Sequence, residues 1–142
     1  MPSVHIGCDH AGLDLKRFLL EKLAALNWRA INHGTDSAES CDYPLIAKKL
    51  CDAVIRTGEP GILICGTGIG MSIAANRFPG IRAALCSCEL QARMARRHNN
   101  ANILCLGARV SGSELCAAIV ASFLENEFEG GRHQRRLDEI DG

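Results

Sequence analysis

The apolar positions of this chain change their spacing along the sequence, and the changes mark alternating strands and helices. Leu15, Leu19, Leu23 and Leu26 recur at close to helical spacing and predict a helix over residues 12–26. Further helices are predicted at 43–55, directly after the glycines of 66–70, at 89–97 and at 113–125, and short apolar runs predict strands at 4–8, 29–32, 62–65, 81–86 and 102–106. Apolar runs between helices are typical of strands buried on both faces. The pattern predicts a three-layer, Rossmann-like (doubly wound) α/β fold, with a five-stranded parallel sheet between two layers of helices.

Length and charge narrow the class of protein. The 142 residues suit one domain, residues 1–142, with a basic and then acidic extension at 130–142. Sixteen basic residues balance sixteen acidic ones, so the charge gives no support to nucleic-acid binding. No apolar run approaches the roughly 20 residues that span a bilayer. The N-terminus leads directly into a predicted strand, which argues against a signal peptide.

Eight cysteines raise the question of disulfides or metal. Cys8, Cys65, Cys86 and Cys105 lie in or at the ends of apolar runs, where a reduced cysteine packs as a small hydrophobe. No Cys-x-x-Cys pair occurs, and the histidines do not complete a zinc pattern. We expect reduced thiols, no bound metal and a cytoplasmic protein.

The segment Cys65-Gly66-Thr67-Gly68-Ile69-Gly70 stands between a predicted strand and a predicted helix. Such a turn directs several backbone N–H groups at one point, with the positive end of a helix dipole behind them. It suits a phosphate or a transient oxyanion, and the same field favours the thiolate of Cys65. The dinucleotide fingerprint is not met, and the lysine of a P-loop is missing. The alternative is a tight turn whose glycines only permit positive φ.

Other reactive side chains are predicted at the same edge of the sheet. Ligands of open parallel sheets bind beyond the carboxyl ends of the strands. The first strand leads to Asp9 and His10, the third to Cys65 and Thr67, and the fifth to Arg109. We expect them to converge on one cleft, with Tyr43 at its rim as a candidate for substrate contact.

Two further groups do not fit that cleft within one chain. His98 and Asn99 end the helix after the fourth strand, so they are either a helix C-terminal cap, with Asn99 in the left-handed conformation, or part of a second subunit's cleft. Arg132 and Arg136 are four apart and share a helix face. They either clamp a phosphate or belong to a solvated charged surface.

Several motifs occur together and in order: Gly7-Cys8-Asp9-His10-Ala11-Gly12, Asp42-Tyr43-Pro44, the run from Cys65 to Asn76, Arg97-His98-Asn99 and Gly130-Gly131-Arg132-His133-Gln134. In this combination the chain resembles ribose-5-phosphate isomerase type B, in the family that also contains the allose-6-phosphate and galactose-6-phosphate isomerases. The resemblance runs from Val4 into the C-terminal extension. It implies an aldose–ketose isomerase of the pentose phosphate pathway that interconverts ribose 5-phosphate and ribulose 5-phosphate through an enediolate, without metal or organic cofactor.

The resemblance also implies a homodimer, sometimes paired into a tetramer, whose active sites draw on two subunits. The extension at 130–142 is then expected to pack on the partner. Cys65 resembles the base that moves the proton between the two carbons, Asp9 the group that moves the hydroxyl protons, and His98 the acid–base of ring opening. Thr67 is expected to hydrogen-bond the sugar or orient the thiol.

The remaining implied roles concern binding. The backbone of Gly66, Gly68, Ile69 and Gly70 resembles the anion hole for the enediolate. The residues that resemble the phosphate clamp and further substrate contacts are His10, Arg132, Arg136, Asn99 and Arg109. The family places its base either as cysteine before the glycine turn or as glutamate after it. Cys65 and Met71 occupy these positions here, which indicates the cysteine branch; Arg135 receives no role.

Three other interpretations stay open from the sequence. A hexose 6-phosphate such as allose 6-phosphate would keep the chemistry and change the sugar. A nucleotide- or flavin-binding module is disfavoured because aromatic residues make up only 4% of the chain. A thiol redox protein would need a disulfide partner for Cys65, and none is adjacent in sequence.

Overall fold

A computed structural model describes residues 1–142 and confirms the predicted fold class. Its sheet has five strands: β1 (Ser3–Cys8), β2 (Arg29–Asn32), β3 (Gly61–Cys65), β4 (Ala83–Leu85) and β5 (Ile103–Gly107). All pairs are parallel, in the order β2-β1-β3-β5-β4. The predicted strand at 81–86 is shorter in the structure, because only Ala83 to Leu85 pair with β5.

Six α-helices connect and follow the strands: α1 (Leu13–Ala25), α2 (Tyr43–Thr57), α3 (Ile69–Ala75), α4 (Glu89–Asn99), α5 (Ser113–Glu125) and α6 (Arg132–Asp141). A short 3-10 turn at His10–Gly12 precedes α1. The C-terminal extension is thus helical, as predicted. No helix combines the length and the apolar character that crossing a bilayer requires.

The helices form two layers, and each layer closes a separate hydrophobic core. One core lies between the sheet and α1, α4 and α5, and the other between the sheet and α2 and α3. Because side chains alternate along a strand, Ile62 and Ile64 of β3 face the first core, whereas Leu63 and Cys65 face the second. Cys65 therefore ends β3 on the side of α2 and α3.

The start of α2 and the end of α4 are formed in different ways. The Asp42 side chain makes no capping hydrogen bond, and Pro44 in the first turn supplies the helical φ of α2. At the end of α4 the left-handed residue is Asn100, with φ of 45°, and not Asn99, which is still helical. The capping alternative for Asn99 is therefore wrong, because α4 continues two residues beyond 97.

Helix α6 lies against α4 of its own chain. Its buried residues are His133 and Leu137, which are four apart and so share the face turned to the protein. Arg132 and Arg136 lie one position earlier and are exposed. The arrangement leaves both guanidinium groups available to a ligand or to a second subunit.

Candidate active site

The carboxyl ends of β1 and β3 lie side by side, at the point where the winding of the sheet reverses. The backbone N–H of Asp9 donates to the carbonyl of Ile64 at 3.1 Å, which holds the loop after β1 against the end of β3. The buried Asp9 carboxylate accepts from the N–H of Ala11 at 2.9 Å. The switch point of such a sheet is the expected place for a ligand, and it presents a fixed carboxylate here.

His10 follows Asp9 and is held by the loop that precedes α2. Its Nδ1 accepts a hydrogen bond from the backbone N–H of Cys41 at 3.3 Å. In the neutral ring this contact leaves the proton on Nε2, which is then available as a donor. His10 therefore has a defined orientation at the edge of the sheet, as a phosphate ligand requires.

The turn after β3 places the sulfur of Cys65 against backbone donors. Gly68 adopts φ of 81°, and its N–H donates to Sγ of Cys65 at 3.2 Å. The Oγ1 of Thr67 accepts from the N–H of Ile69 at 3.2 Å and so stabilises the first turn of α3. The sulfur of Cys65 therefore accepts a backbone hydrogen bond beside the N-terminus of α3.

Three of the other buried cysteines show the opposite arrangement. The sulfurs of Cys8, Cys86 and Cys116 donate to backbone carbonyls, which requires a protonated thiol. Burial raises the pKa of Cys8 to about 11 and that of Cys86 to about 11. Cys65 is the buried cysteine whose sulfur accepts a backbone N–H, although it is also only 5% exposed and contacts the second core.

Two larger side chains border the turn. The guanidinium of Arg109 lies over Gly66, with Nη1 3.2 Å from the position that a Cβ at residue 66 would occupy, and the backbone N–H of Arg109 donates to the Gly66 carbonyl at 2.9 Å. The Tyr43 ring packs on Gly70, where a Cβ would lie 2.7 Å from Cζ. The structure thus brings Asp9, Cys65 and Arg109 to one edge of the sheet. This was predicted because each of them follows or ends a parallel strand at its carboxyl end.

His98 does not join this group within one chain. It lies in the last turn of α4, which runs from the carboxyl edge of the sheet back towards the amino edge. Helix α4 also belongs to the layer of α1 and α5, whereas Cys65 faces the layer of α2 and α3. Asn99, Arg132 and Arg136 are at the same distant end of the molecule as His98.

At that end the residues form a cluster of their own. The rings of His98 and His133 stack with centroids 4.2 Å apart and an angle of 13° between their planes. The Oε1 of Glu129 lies 3.6 Å from Nε2 of His98 and 3.7 Å from Nε2 of His133. Loss of solvation, followed by the positive charge of His98 and Arg132, lowers the pKa of His133. These contacts place His98 beside the basic face of α6.

The three main clefts of the chain are not lined by Cys65. One, of about 720 Å³, lies between the segment before β4, the end of α4 and α6, and includes Asn99 and Leu137. Another, of about 340 Å³, is lined by Thr67, Ile69 and residues at the ends of β4 and β5. The candidate site is therefore defined by the side chains described above and not by the volume of these clefts.

Three residues to which the sequence assigned no role lie in contact networks of the structure. Lys16 is fully buried; its Nζ donates to Asn32 at 3.0 Å, to Asp36 at 2.9 Å and to the Thr35 carbonyl. The signal was present, because Lys16 takes a position in the apolar stripe of α1. Glu129 and His133 were also missed, and their spacing of four residues was the only sequence signal.

Comparison with known proteins gives a consistent family. A family model described as Ribose/Galactose Isomerase matches residues 4–140. The chain is 46% identical to ribose-5-phosphate isomerase B of Escherichia coli over 142 residues, which cover 99% of this chain and 95% of that protein.

Solved structures agree with this result. The chain superposes on a ribose 5-phosphate isomerase from Thermotoga maritima with a TM-score of 0.96 and 50% identity, covering 99% of this chain and 97% of that one. It superposes on ribose-5-phosphate isomerase B from Mycoplasma genitalium, solved with bound ribulose-5-phosphate, with a TM-score of 0.94 and 42% identity, covering 98% of this chain and 93% of that one.

Proposed function

The chain belongs to the ribose/galactose isomerase family and is a sugar phosphate isomerase of the ribose-5-phosphate isomerase B type; from this premise we propose that it interconverts ribose 5-phosphate and ribulose 5-phosphate. The observation that carries the proposal is the hydrogen bond from the Gly68 N–H to Sγ of Cys65 at the end of β3. It prepares a sulfur anion beside backbone donors, which is what proton abstraction next to a carbonyl requires.

In the proposed reaction the thiolate of Cys65 removes the proton from C2 of the open-chain aldose. The electron pair of that C–H bond forms the C1–C2 double bond of an enediolate, and the carbonyl oxygen becomes negative. Backbone N–H groups of the turn other than those of Gly68 and Ile69, which already donate to Cys65 and Thr67, stabilise this oxygen, at about 3–4 kcal/mol for a well-placed donor. The thiol then returns the proton to C1 while Asp9 moves the proton between the two hydroxyl oxygens, which gives the ketose.

A second subunit completes the proposed site. His98 is assigned to opening of the furanose ring, and His10, Arg132 and Arg136 to the phosphate, yet His98 and the arginines lie far from Cys65 in one chain. A homodimer that sets α4 and α6 of one protomer over the glycine turn of the other resolves this separation. The exposed apolar side chains beside the turn support a covering partner, since Ile69 is 52% and Ile73 54% exposed.

The substrate is tested by comparing sugar phosphates of different length. Turnover of ribose 5-phosphate and of allose 6-phosphate is measured on the same preparation by ketose formation. We expect a higher kcat/KM for the pentose. A strong preference for the hexose would replace the sugar in the proposal and leave the proton transfer unchanged.

The shared site is tested by mixing two inactive variants. Cys65→Ala and His98→Asn homodimers are combined, dissociated and reassembled. If each site takes Cys65 from one subunit and His98 from the other, half of the sites in every mixed dimer are intact, and statistical mixing restores about a quarter of wild-type activity. Mixed dimers without recovered activity would show that both residues act within one chain.

A further inference from the structure

The cluster of His98, Glu129 and His133 has the donor set of a metal site. Two imidazole nitrogens and one carboxylate oxygen face one another, and the three ligand atoms all lie within 4.8 Å of each other. We propose that these residues bind a divalent transition-metal ion, with Zn²⁺ the best fit, and that the bound ion inhibits the enzyme.

The distances are already close to those of a coordinated ion. Ligands about 2.0–2.1 Å from a tetrahedral Zn²⁺ are roughly 3.3–3.4 Å from one another. The carboxylate oxygen of Glu129 lies 3.6 Å and 3.7 Å from the two Nε2 atoms, so contraction of a few tenths of an ångström reaches that geometry. Both nitrogens approach the same oxygen.

The backbone holds the three ligands in place from separate elements. His98 is in the last turn of α4 and His133 in the first turn of α6. The N–H of Glu129 donates to the carbonyl of Arg97 at 3.0 Å, which fixes the carboxylate next to His98. The segment between α5 and α6 is also tied to α4, because Nε of Arg97 donates to Oδ1 of Asn126 at 2.9 Å.

The choice of ion follows from the ligands and from access. Imidazole and carboxylate together suit Zn²⁺ and Co²⁺ better than Mg²⁺ or Ca²⁺, which prefer oxygen ligands throughout. Three protein ligands leave a fourth position for water. His98 and Glu129 are partly exposed, so an ion can enter from solvent. The nearby Arg132 and Arg136 oppose a cation, and we expect binding weaker than that of a structural zinc site.

The inhibitory consequence rests on the proposed function of His98, whereas the binding does not. An ion on the ring nitrogen of His98 removes the lone pair and the proton that ring opening uses. Zn²⁺ should therefore slow isomerisation of the cyclic aldose. The ion has no place in the proton transfer at Cys65, so the site is not that of a catalytic cofactor.

The binding is tested with Co²⁺ and Zn²⁺ alone, on reduced protein and without substrate. Co²⁺ should give the visible bands of a four-coordinate ion without the near-ultraviolet charge-transfer bands of a cobalt–thiolate bond, and Zn²⁺ should displace it. Glu129→Gln should weaken Zn²⁺ binding tenfold or more by calorimetry. Glu127→Gln, which changes an exposed carboxylate two residues away, is the matched control and should bind as the wild type does.

Two results would overturn the site. One is equal affinity of the wild type and Glu129→Gln for Zn²⁺, and the other is a thiolate spectrum, which would move the ion to a cysteine. Binding that is lost in Glu129→Gln without inhibition of the wild type supports the site and contradicts the assigned role of His98. Inhibition that persists in Glu129→Gln contradicts the proposed mode of inhibition.

Discussion

The two chemically active regions of this chain are built in different ways. The region around Cys65 is made by the sheet: strand ends, a glycine turn and backbone hydrogen bonds set the positions of Asp9 and Arg109. The region around His98 is made by helix ends and by side chains, with stacked imidazoles and a carboxylate between them. Neither region has a complete set of groups for isomerising a cyclic sugar phosphate.

Because of this difference, the geometry of the Cys65 region is fixed by the backbone, whereas the geometry of the His98 region depends on side chains. Backbone donors are fixed by the fold and stabilise any enediolate of suitable shape. Arg132 and Arg136 on α6, the proposed phosphate ligands, are exposed side chains that can change rotamer. We infer that the sheet edge carries the chemistry and the helix ends select the substrate.

The largest expected effect comes from removing Cys65, the proposed base at the sheet edge. Cys65→Ala should lower kcat by about 10²–10⁴-fold, the usual contribution of a positioned acid–base group, while binding of ribose 5-phosphate persists. Initial-rate assays measure kcat, and calorimetry measures the binding of ribose 5-phosphate.

Cys105→Ala is the matched control for that variant. Cys105 is fully buried on the same face of the sheet, and burial raises its pKa, but its sulfur makes no hydrogen bond with the glycine turn. It should lose stability and keep most of its activity. A Cys65→Ala enzyme with more than about a tenth of wild-type turnover would contradict the assignment.

The second prediction changes the other region. His98→Asn should slow conversion of ribose 5-phosphate by about 10- to 100-fold, because the ring then opens without assistance. Exchange of the C1 proton of ribulose 5-phosphate with deuterated solvent should stay near the wild-type rate, since this ketose is open-chain and needs only the base. Proton NMR follows both reactions, and an equal loss in both would remove ring opening from the role of His98.

A third prediction tests the rigidity of the sheet edge. Gly68→Ala should lower the free energy of unfolding by about 3 kcal/mol or more, because it combines strain at positive φ with overpacking. An added Cβ would lie 2.5 Å from Cδ1 of Leu85 and 2.9 Å from the carbonyl carbon of Leu106.

The control for Gly68 is Gly80, whose φ of 87° is similar but whose added Cβ would meet nothing within 4 Å. Gly80→Ala should cost only the strain of the backbone, about 1 kcal/mol. Urea denaturation measures both. If the free energy of unfolding fell equally in the two variants, the close approach of the turn to β5 would not contribute to stability.

The smallest effect concerns the loop beside His10. Hydrogen bonds from Lys16 and then Asn32 hold the pKa of Asp36 below its ordinary value. A lowered pKa means that the stabilising contribution is complete above the unfolded value of about 3.9 and is lost as the pH falls through the folded value.

Asp36→Asn should therefore lower the urea midpoint slightly at pH 7 and flatten its decline below pH 5. The effect is small because the Asp36 side chain is 73% exposed and solvent screens the pair. An identical acid profile of the variant and the wild type would contradict the prediction.

The difference between the Cys65 region and the His98 region also determines which features could be predicted from the sequence. The alternation of strands and helices and the position of Cys65 at the end of a strand follow from local patterns, because apolar runs and a glycine turn are contiguous in the chain. The His98 cluster joins α4 to a segment thirty residues later, and no local pattern encodes that contact. Lys16 was overlooked because its hydrogen-bond partners, Asn32 and Asp36, belong to a different element.

The left-handed residue after α4 shows a finer limit. Asn99 and Asn100 have the same side chain, so composition cannot decide which of them ends the helix. The choice depends on where β5 must begin, and Asn102 sets this by accepting from the backbone N–H of Arg82 at 2.8 Å. The length of α4 therefore depends on tertiary contacts and not only on its own sequence.

The crowding around the turn after β3 has a consequence for altering the enzyme. Two glycines of the turn have no room for a side chain: Leu106 and Leu85 press on Gly68, and the Tyr43 ring covers Gly70. Directed evolution towards longer or differently branched sugars therefore has few permitted substitutions at the reacting carbons. Variation that succeeds should accumulate on the exposed positions of α6, so that a library confined to this helix samples substrate range without disturbing the proton transfer.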